Sequence, residues 1–263
     1  MFAYPLCGFL VGALVGLTGM GGGSVMTALL ILVFGVHPIT AVGTDLLYAA
    51  VTKSAGAHVH AGKGNVVWPL VGWLAIGSVP GTLLTIFMLS RVVSHSPALA
   101  RAITLIIGVA LIVAALNLLL QRNVLRPSRQ SGIDQKLETI QQQPSRRPLM
   151  TILLGLLLGV FVSLTSVGAG ALGIVILRQL HPQLASVRLV GTDIAHAVPL
   201  TLLAGCGHWL IGDVDWKLLG LLLVGSIPGI MVASYFAHHL PEQIMRPLLG
   251  LVLLAIAIPL MIH

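Results

Sequence analysis

Two glycine-rich segments of the chain carry the residue type that best exposes backbone N–H groups to an anion. The first contains Gly21, Gly22 and Gly23, and the second contains Gly168 and Gly170. Glycine tolerates positive φ and lets a ligand approach the main chain. The first N–H groups of a following helix lack intrahelical partners and carry the positive end of its dipole. The segments therefore favour an anion site at two broken-helix tips, with close helix packing through small residues as the alternative.

A Gly-Thr-Asp motif occurs twice and contributes Thr44 with Asp45, and Thr192 with Asp193. We expect each copy at or near the start of a long helix. Thr and Asp there are common N-caps, and an acid suits the helix dipole. The two threonine hydroxyls can also bind a substrate oxygen, because a hydroxyl both donates and accepts. The two interpretations are compatible.

Lys53 is expected well inside the helix that carries Asp45. An unpaired ammonium buried in lipid costs a few kcal/mol or more, so this lysine needs a partner. Asp45 lies eight residues back, about 12 Å along the axis, which is too far for a direct ion pair. The partner is an acid on another helix, a water-filled cavity or an anionic substrate. The equivalent residue of the second half is Thr201, so this charge breaks the internal symmetry.

Candidate coupling and gating residues lie in the same helices. Asp193 and His196 are three residues apart, share a helix face and could couple a proton near neutral pH, with Asp45 as the alternative coupling acid. Pro80 and Pro228 mark helix kinks, and a hinge or gate is the sharper alternative. The histidines lack recognisable zinc spacing, so neither a metal nor a cofactor is expected.

The elements that position these residues are membrane helices. The chain has 263 residues, of which 57% are hydrophobic and 8% are charged, and this composition excludes an ordinary soluble domain. Its charge-free runs are mostly long enough to cross a bilayer as helices; they cover residues 2 to 36, 66 to 90, 102 to 121, 148 to 177 and 218 to 237. The net charge of +7 comes from scattered basic residues that act as topology signals, so nucleic acid is not an expected partner.

An internal duplication organises the chain. A shift of 148 residues superimposes both Gly-Thr-Asp motifs, His60 on His208, Trp68 on Trp216, and both Gly-Ser-x-Pro-Gly segments, while a shift of 147 aligns the glycine-rich segments. Two homologous halves are a known build of secondary transporters. Each half is predicted to hold a glycine-broken helical hairpin and three transmembrane helices. A hairpin adds an even number of crossings, so each half crosses an odd number of times and the two repeats must be inverted.

The predicted organisation is all-α and polytopic. The first repeat covers residues 1–120, a linker covers 121–148, and the second repeat covers 149–263. The predicted hairpins and helices are 2 to 18 with 24 to 36, then 41 to 60, 66 to 90 and 99 to 120; and 149 to 165 with 170 to 180, then 187 to 210, 216 to 237 and 243 to 262. With the linker inside, ten basic residues lie inside against three outside, which favours a cytoplasmic linker and both termini outside.

These motifs resemble those of the TauE/SafE-type family of membrane transporters, often called sulfite exporters and including the YfcA-like proteins. The resemblance rests on the glycine-rich segment from Gly16 to Gly23, on 41 to 45 with Lys53 and His60, on 77 to 81, and on their echoes at 168 to 170, 190 to 193 and 225 to 229. It implies export of sulfite, sulfonates or related organic anions across the inner membrane.

The sequence therefore predicts a secondary transporter that exports a small sulfur-containing anion and is coupled to a proton or ion gradient. Its expected partners are the anion and the lipid bilayer, and a homo-oligomer is left open. An ATP-driven pump is disfavoured because a Walker A sequence is lacking. The alternatives are a non-transporting membrane scaffold or subunit and, with less support, an intramembrane metal-dependent enzyme. We expect no catalytic residue.

Overall fold

A computed structural model describes residues 3–18, 23–91, 97–120, 147–168, 170–236 and 242–262. These residues form ten α-helices and no strand, which confirms the all-helical prediction. The helices are α1 Ala3–Thr18, α2 Gly23–Leu32, α3 Pro38–Gly62, α4 Trp68–Arg91, α5 Pro97–Leu120, α6 Pro148–Thr165, α7 Ala171–Leu180, α8 Ser186–Leu210, α9 Trp216–Phe236 and α10 Glu242–Ile262. The predicted linker, apart from 147 and 148, lies outside the described residues.

Local sequence signals explain how the helices begin and end. Pro38 and Pro148 occupy the first turns of α3 and α6, where a missing N–H is harmless and the fixed φ is already helical. Gly64 and Gly212 follow α3 and α8 with φ of 69° and 87°, a region that glycine enters without strain. Each long central helix therefore ends in the same kind of glycine turn.

Within the described ranges, four helices have the length and apolar composition to cross a bilayer. They are α4, α6, α8 and residues Trp216–Ala233 of α9. Large apolar side chains such as Leu83, Leu84 and Phe87 are exposed on α4, where a membrane protein places lipid-facing groups. The chain is therefore a multi-pass membrane protein, as the composition predicts.

Helices of one half pack on helices of the other. Helix α1 packs on α9 and α4 packs on α6, while α3 packs on α8 and α5 on α10. Gly77 of α4 lies against the backbone of Ile152, and the equivalent Gly225 of α9 lies against the backbone of Pro5. These contacts recur at the offsets of the sequence duplication.

The two central helices, α3 and α8, run antiparallel. Gly205 of α8 faces Leu47 of α3, whereas Gly56 of α3 faces Ile194 of α8, so early residues of each helix meet late residues of the other. Equivalent helices that cross a bilayer antiparallel to each other are what the inverted arrangement requires. The orientation of each repeat in the membrane stays a prediction.

Several predicted boundaries differ from the structure. Helix α3 starts at Pro38 rather than at residue 41, and the second arm of the first hairpin ends at Leu32 rather than at residue 36. The first difference arises because Pro38, which lies outside the predicted helix bounds, occupies the first turn of α3. It changes the position of the first Gly-Thr-Asp motif within its helix.

Candidate functional site

The Gly-Thr-Asp motifs lie inside their helices, so the N-cap interpretation of Asp45 and Asp193 is wrong. The N-cap residues are His37 for α3 and Ala185 for α8, and each motif begins more than one turn later. Here the aspartates cannot reach the orphan N–H groups of the first turn. They are instead buried, with exposed fractions of 0% and 1%.

The motif glycines allow the two repeats to approach each other closely. A Cβ atom at Gly43 would lie 2.8 Å from Cβ of His208, and one at Gly191 would lie 3.1 Å from Nδ1 of His60. His208 also donates from Nε2 to the Ser163 carbonyl at 2.9 Å. These histidines therefore help to pack the repeats together.

The motif threonines link the repeats through equivalent hydrogen bonds. Thr44 Oγ1 accepts from the backbone N–H of Asp215 at 3.1 Å, and Thr192 Oγ1 accepts from the backbone N–H of Val67 at 2.9 Å. Thr192 also donates to the Arg188 carbonyl at 2.6 Å. Each hydroxyl therefore binds the turn that precedes a long helix of the other repeat, which is α9 for Thr44 and α4 for Thr192.

Asp45 connects α3 to the first hairpin. Thr27 of α2 donates a hydrogen bond from its hydroxyl to Asp45 Oδ2, and Ser166, in the turn between α6 and α7, also faces this carboxylate. A buried carboxylate needs such donors because it has lost its hydration. Thr27 was not among the predicted site residues, because its only signal is a hydroxyl within the apolar helix α2.

Lys53 lies between carboxylates from both repeats. Its side chain is 7% exposed, and its strongest opposite charge is Asp193 of α8, followed by Asp45 of its own helix. Of the three partners that the sequence left open, an acid on another helix is therefore present within electrostatic range. Lys53, Asp45 and Asp193 form the charged centre of the protein. This centre lies where α3 and α8 pack together, so one cation interacts electrostatically with both repeats.

Asp193 also contacts the second hairpin. Its Oδ1 lies so close to Gly173, in the first turn of α7, that a Cβ atom there would collide with it. Its Oδ2 is buried without a hydrogen-bond partner among the described residues. Gly173 was missed because glycine in an apolar helix is common, and nothing nearby in the chain points to an aspartate twenty residues later.

A second pair of equivalent contacts flanks the charged residues. His196 Nε2 and Ser78 Oγ form a 2.8 Å hydrogen bond between α8 and α4, and Tyr48 of α3 faces Ser226 of α9. The sequence analysis assigned both serines to kink motifs and missed their position beside the centre. The repeat offset is the signal that could have found them, because it pairs Tyr48 with His196 and Ser78 with Ser226.

The prolines of those kink motifs point away from the centre. Pro80 lies inside α4 and Pro228 inside α9, and both are exposed. The neighbouring residues Gly77 and Gly225 instead face the partner helices. Gating by the prolines stays a prediction.

The glycine-rich segments are described in part. Gly21 and Gly22 lie outside the described residues, and Gly23 is the first residue of α2. Gly168 and Gly170 take φ of 118° and 130°, values that only glycine adopts readily. No side chain caps α7 at Gly170. The second segment therefore forms a tight turn into an uncapped helix.

Over the part of the chain that the structure describes, no group of three or more His, Cys, Asp or Glu side chains could hold a metal ion. The ionisable residues at the centre form a different kind of site, in which two acids surround one base. Such groups inside membrane helices typically mark substrate or ion pathways.

An all-helical multi-pass protein with ionisable groups buried between two halves has the features of a membrane transporter. Comparison with known families specifies the class further: the family described as "Sulfite exporter TauE/SafE" matches residues 4–260. The chain belongs to the sulfite exporter TauE/SafE family.

Curated relatives match over nearly the whole chain. "Probable membrane transporter protein YjnA" of Bacillus subtilis (strain 168) is 40% identical over 253 residues, covering 92% of this chain and 91% of that protein. "Probable membrane transporter protein YdhB" of the same organism is 28% identical, covering 90% and 91%. A "Probable membrane transporter protein" of Xylella fastidiosa (strain Temecula1 / ATCC 700964) is 26% identical, covering 95% and 91%. No solved structure matches the chain.

Proposed function

We propose that this chain is a secondary transporter that exports a small sulfur-containing anion, such as sulfite or a sulfonate, coupled to a proton or ion gradient. The observation that carries the proposal is the burial of Lys53 within electrostatic range of Asp193 and Asp45, where the two central helices pack together. Membership of the family supports the same class of substrate.

The energetics of burial favour a functional role for this lysine. Placing an ammonium and two carboxylates inside a membrane protein costs several kcal/mol per ion before pairing, and hydrophobic residues of similar size often stabilise a fold equally well. A scaffold would not need these charges. A transporter of anions needs a buried cation whose partners can be exchanged during the cycle.

The other proposed residues have distinct roles in this scheme. The glycine-rich segments, with Gly21, Gly22 and Gly23 and with Gly168 and Gly170, offer backbone N–H groups to the anion, and Lys53 supplies the positive charge. Asp193 with His196, or alternatively Asp45, carries the coupling proton, and Pro80 and Pro228 provide bending points in α4 and α9. Thr44 and Thr192 border the site and, because their hydroxyls bind backbone groups, position the central helices.

We propose an inner-membrane location with the linker in the cytoplasm and both termini outside. The support is the distribution of basic residues, which places Lys63, Arg178 and Arg188 on the linker side. Labelling single cysteines at Lys63 and Lys217 with an impermeant reagent in intact cells tests this, since only the second is expected to react.

Flux measurements in proteoliposomes test the transport function. Purified protein is reconstituted, and labelled sulfite, labelled methanesulfonate and a neutral solute are followed. We expect anion flux in the wild type, a loss of at least tenfold in Lys53→Ala, and partial retention in Lys53→Arg, which keeps the charge. Lys63→Ala is the matched control, because Lys63 is exposed at the end of the same helix.

Absence of flux for every anion with correctly folded protein would contradict the transport function and favour a scaffold. Equal anion flux in the wild type and Lys53→Ala would instead remove Lys53 from the site.

A further inference from the structure

The two aspartates of the centre occupy equivalent positions but have different surroundings. Asp45 accepts a hydrogen bond from Thr27, whereas the equivalent of Thr27 in the second repeat is Ile174, which has no hydroxyl. Asp193 is 1% exposed, and its Oδ2 has no hydrogen-bond partner among the described residues. Asp45 Oδ1 likewise has no partner among the described residues, so the difference between the two aspartates is the hydroxyl hydrogen bond that only Asp45 accepts.

Asp193 also lies where a bound anion is expected. Its Oδ1 packs on Gly173, in the first turn of the uncapped helix α7, where the helix dipole favours negative charge. Its carboxylate is the strongest opposite charge near Lys53. The helix tip and the lysine, two of the groups assigned to the substrate, therefore already face a carboxylate of the protein.

We propose that Asp193 is a tethered anion that occupies the substrate site in the empty transporter, and that a substrate anion replaces it only together with a proton on Asp193. This inference rests on the proposed function and specifies it further. It makes the protein a cotransporter in which anion and proton move in the same direction.

The charge balance of the centre gives the sign of the coupling. When Lys53 is charged, Asp45 and Asp193 are both ionised and His196 is neutral, one positive and two negative charges give the centre a net charge of −1. A monoanion added alone would raise it to −2 inside a poorly screened site. An anion added with a proton leaves it unchanged. Anion binding and proton binding therefore strengthen each other, and by linkage they do so reciprocally.

The groups around Asp193 leave this balance intact. Helix α3 presents Lys53, with Asp45 beyond it, and its His60 packs on Gly191, two residues before Asp193. On α8 itself, His196 is hydrogen-bonded to α4. Helix α6 has no ionisable side chain. The ionisable side chains of α4 and α7 are Arg91 and Arg178, and both lie toward the C-terminal ends of their helices.

The proton step balances without another reactant. On the side where the anion enters, water supplies a proton, and an O–H bond forms on the Asp193 carboxylate. The neutral acid leaves Lys53 to the anion. On the opposite side the anion departs, the O–H bond breaks, the proton returns to water and Asp193 pairs with Lys53 again. Export is then driven by the outward anion gradient, and each monoanion carries one proton with it.

Binding measurements on the full-length protein test the inference. Methanesulfonate is the probe because it keeps its charge across the pH range, so any pH dependence belongs to the protein. We expect wild-type affinity to fall roughly tenfold per pH unit above neutrality, the slope for one proton per anion. Asp193→Asn, which mimics the protonated acid, should bind with little pH dependence. The matched control Asp215→Asn changes an exposed aspartate and should keep the wild-type slope.

Proton flux in the wild type provides a measurement that does not depend on a variant folding. Proteoliposomes containing a pH indicator receive an inward methanesulfonate gradient, and the lumen should acidify as the anion enters. Alkalinisation, anion entry without a pH change, or an unchanged pH slope in Asp193→Asn would overturn the inference while the transport function stands. Absence of both binding and flux in the wild type would overturn the transport function and this inference with it.

Discussion

Replacing Gly77 or Gly225 with alanine should weaken the packing between the two repeats and lower the stability of the protein. Gly77 of α4 faces the backbone of α6, and the equivalent Gly225 of α9 faces the backbone of α1. In both places the nearest atoms belong to main chain, which cannot move aside as a side chain can. The added methyl group must therefore displace a whole helix.

The distances set the size of the effect. A Cβ atom at residue 77 would lie 2.6 Å from the Leu156 nitrogen, and one at residue 225 would lie 2.7 Å from the Pro5 carbonyl carbon. Cβ atoms essentially never approach within 3.0 Å of such atoms, and the carbonyl oxygens of Ile152 and Pro5 lie closer still, so α4 and α6 must separate by more than about 0.4 Å. Overpacking of this kind typically destabilises a protein by about 1–3 kcal/mol.

Matched controls come from the same helices. Gly72 of α4 and its equivalent, Gly220 of α9, have no atom within 4 Å of a Cβ. Alanine there gains the usual helix preference over glycine, about 0.8–1.0 kcal/mol. Because Gly77→Ala and Gly225→Ala gain the same term, the difference between each variant and its control isolates the packing effect, about 1–3 kcal/mol.

Unfolding in mild detergent, followed by heat or by titration with a denaturing detergent, measures the difference. We expect Gly77→Ala to unfold more easily than Gly72→Ala, and Gly225→Ala more easily than Gly220→Ala. Equal stability within both pairs would refute the close backbone packing between repeats.

Two further predictions concern polar contacts. Thr44→Val and Thr192→Val each leave a backbone N–H of the other repeat unpaired and should lower the unfolding free energy by about 1–3 kcal/mol. Thr52→Val should lower the unfolding free energy less, because the Thr52 hydroxyl binds carbonyls of its own helix. Equal losses for all three variants in the same unfolding assay would contradict this. Burial, and then Arg147, lowers the pKa of His181 below its usual 6.5, so its contribution to stability is full above about pH 6.5 and is lost as the pH falls through the folded-state pKa. Thermal unfolding of the wild type should therefore respond more steeply to acid than that of His181→Gln, and parallel curves would disprove it.

Much of the fold was predictable because membrane helices leave a strong local signal. Charge-free runs set the number and approximate extent of the elements, and the repeat offset identified which residues are equivalent. Boundaries were less certain, since Pro38 fits a loop as well as a helix start. The expected helix cap was wrong for both Gly-Thr-Asp motifs, although the start of α8 was predicted within one residue, because each motif lies more than one turn inside its helix.

The candidate site was predictable only in its charged members. Lys53 is conspicuous because an ammonium within an apolar helix needs a partner, but its partner Asp193 lies 140 residues away in the sequence. Helix packing, which residue spacing does not encode, joins the two. Thr27 and Gly173 were missed for the same reason, as each acts on an aspartate of a different helix.

The two repeats differ at the position of Lys53, and this difference sets the net charge of the centre. Thr44 and Thr192 make equivalent contacts, whereas Lys53 corresponds to Thr201, whose hydroxyl binds the Ala197 carbonyl. Were residue 201 also a lysine, two bases would neutralise two acids, and the centre could accept an anion without a proton. With one lysine the net charge stays negative. In the proposed cycle, this single difference between the repeats makes entry of an anion depend on a proton.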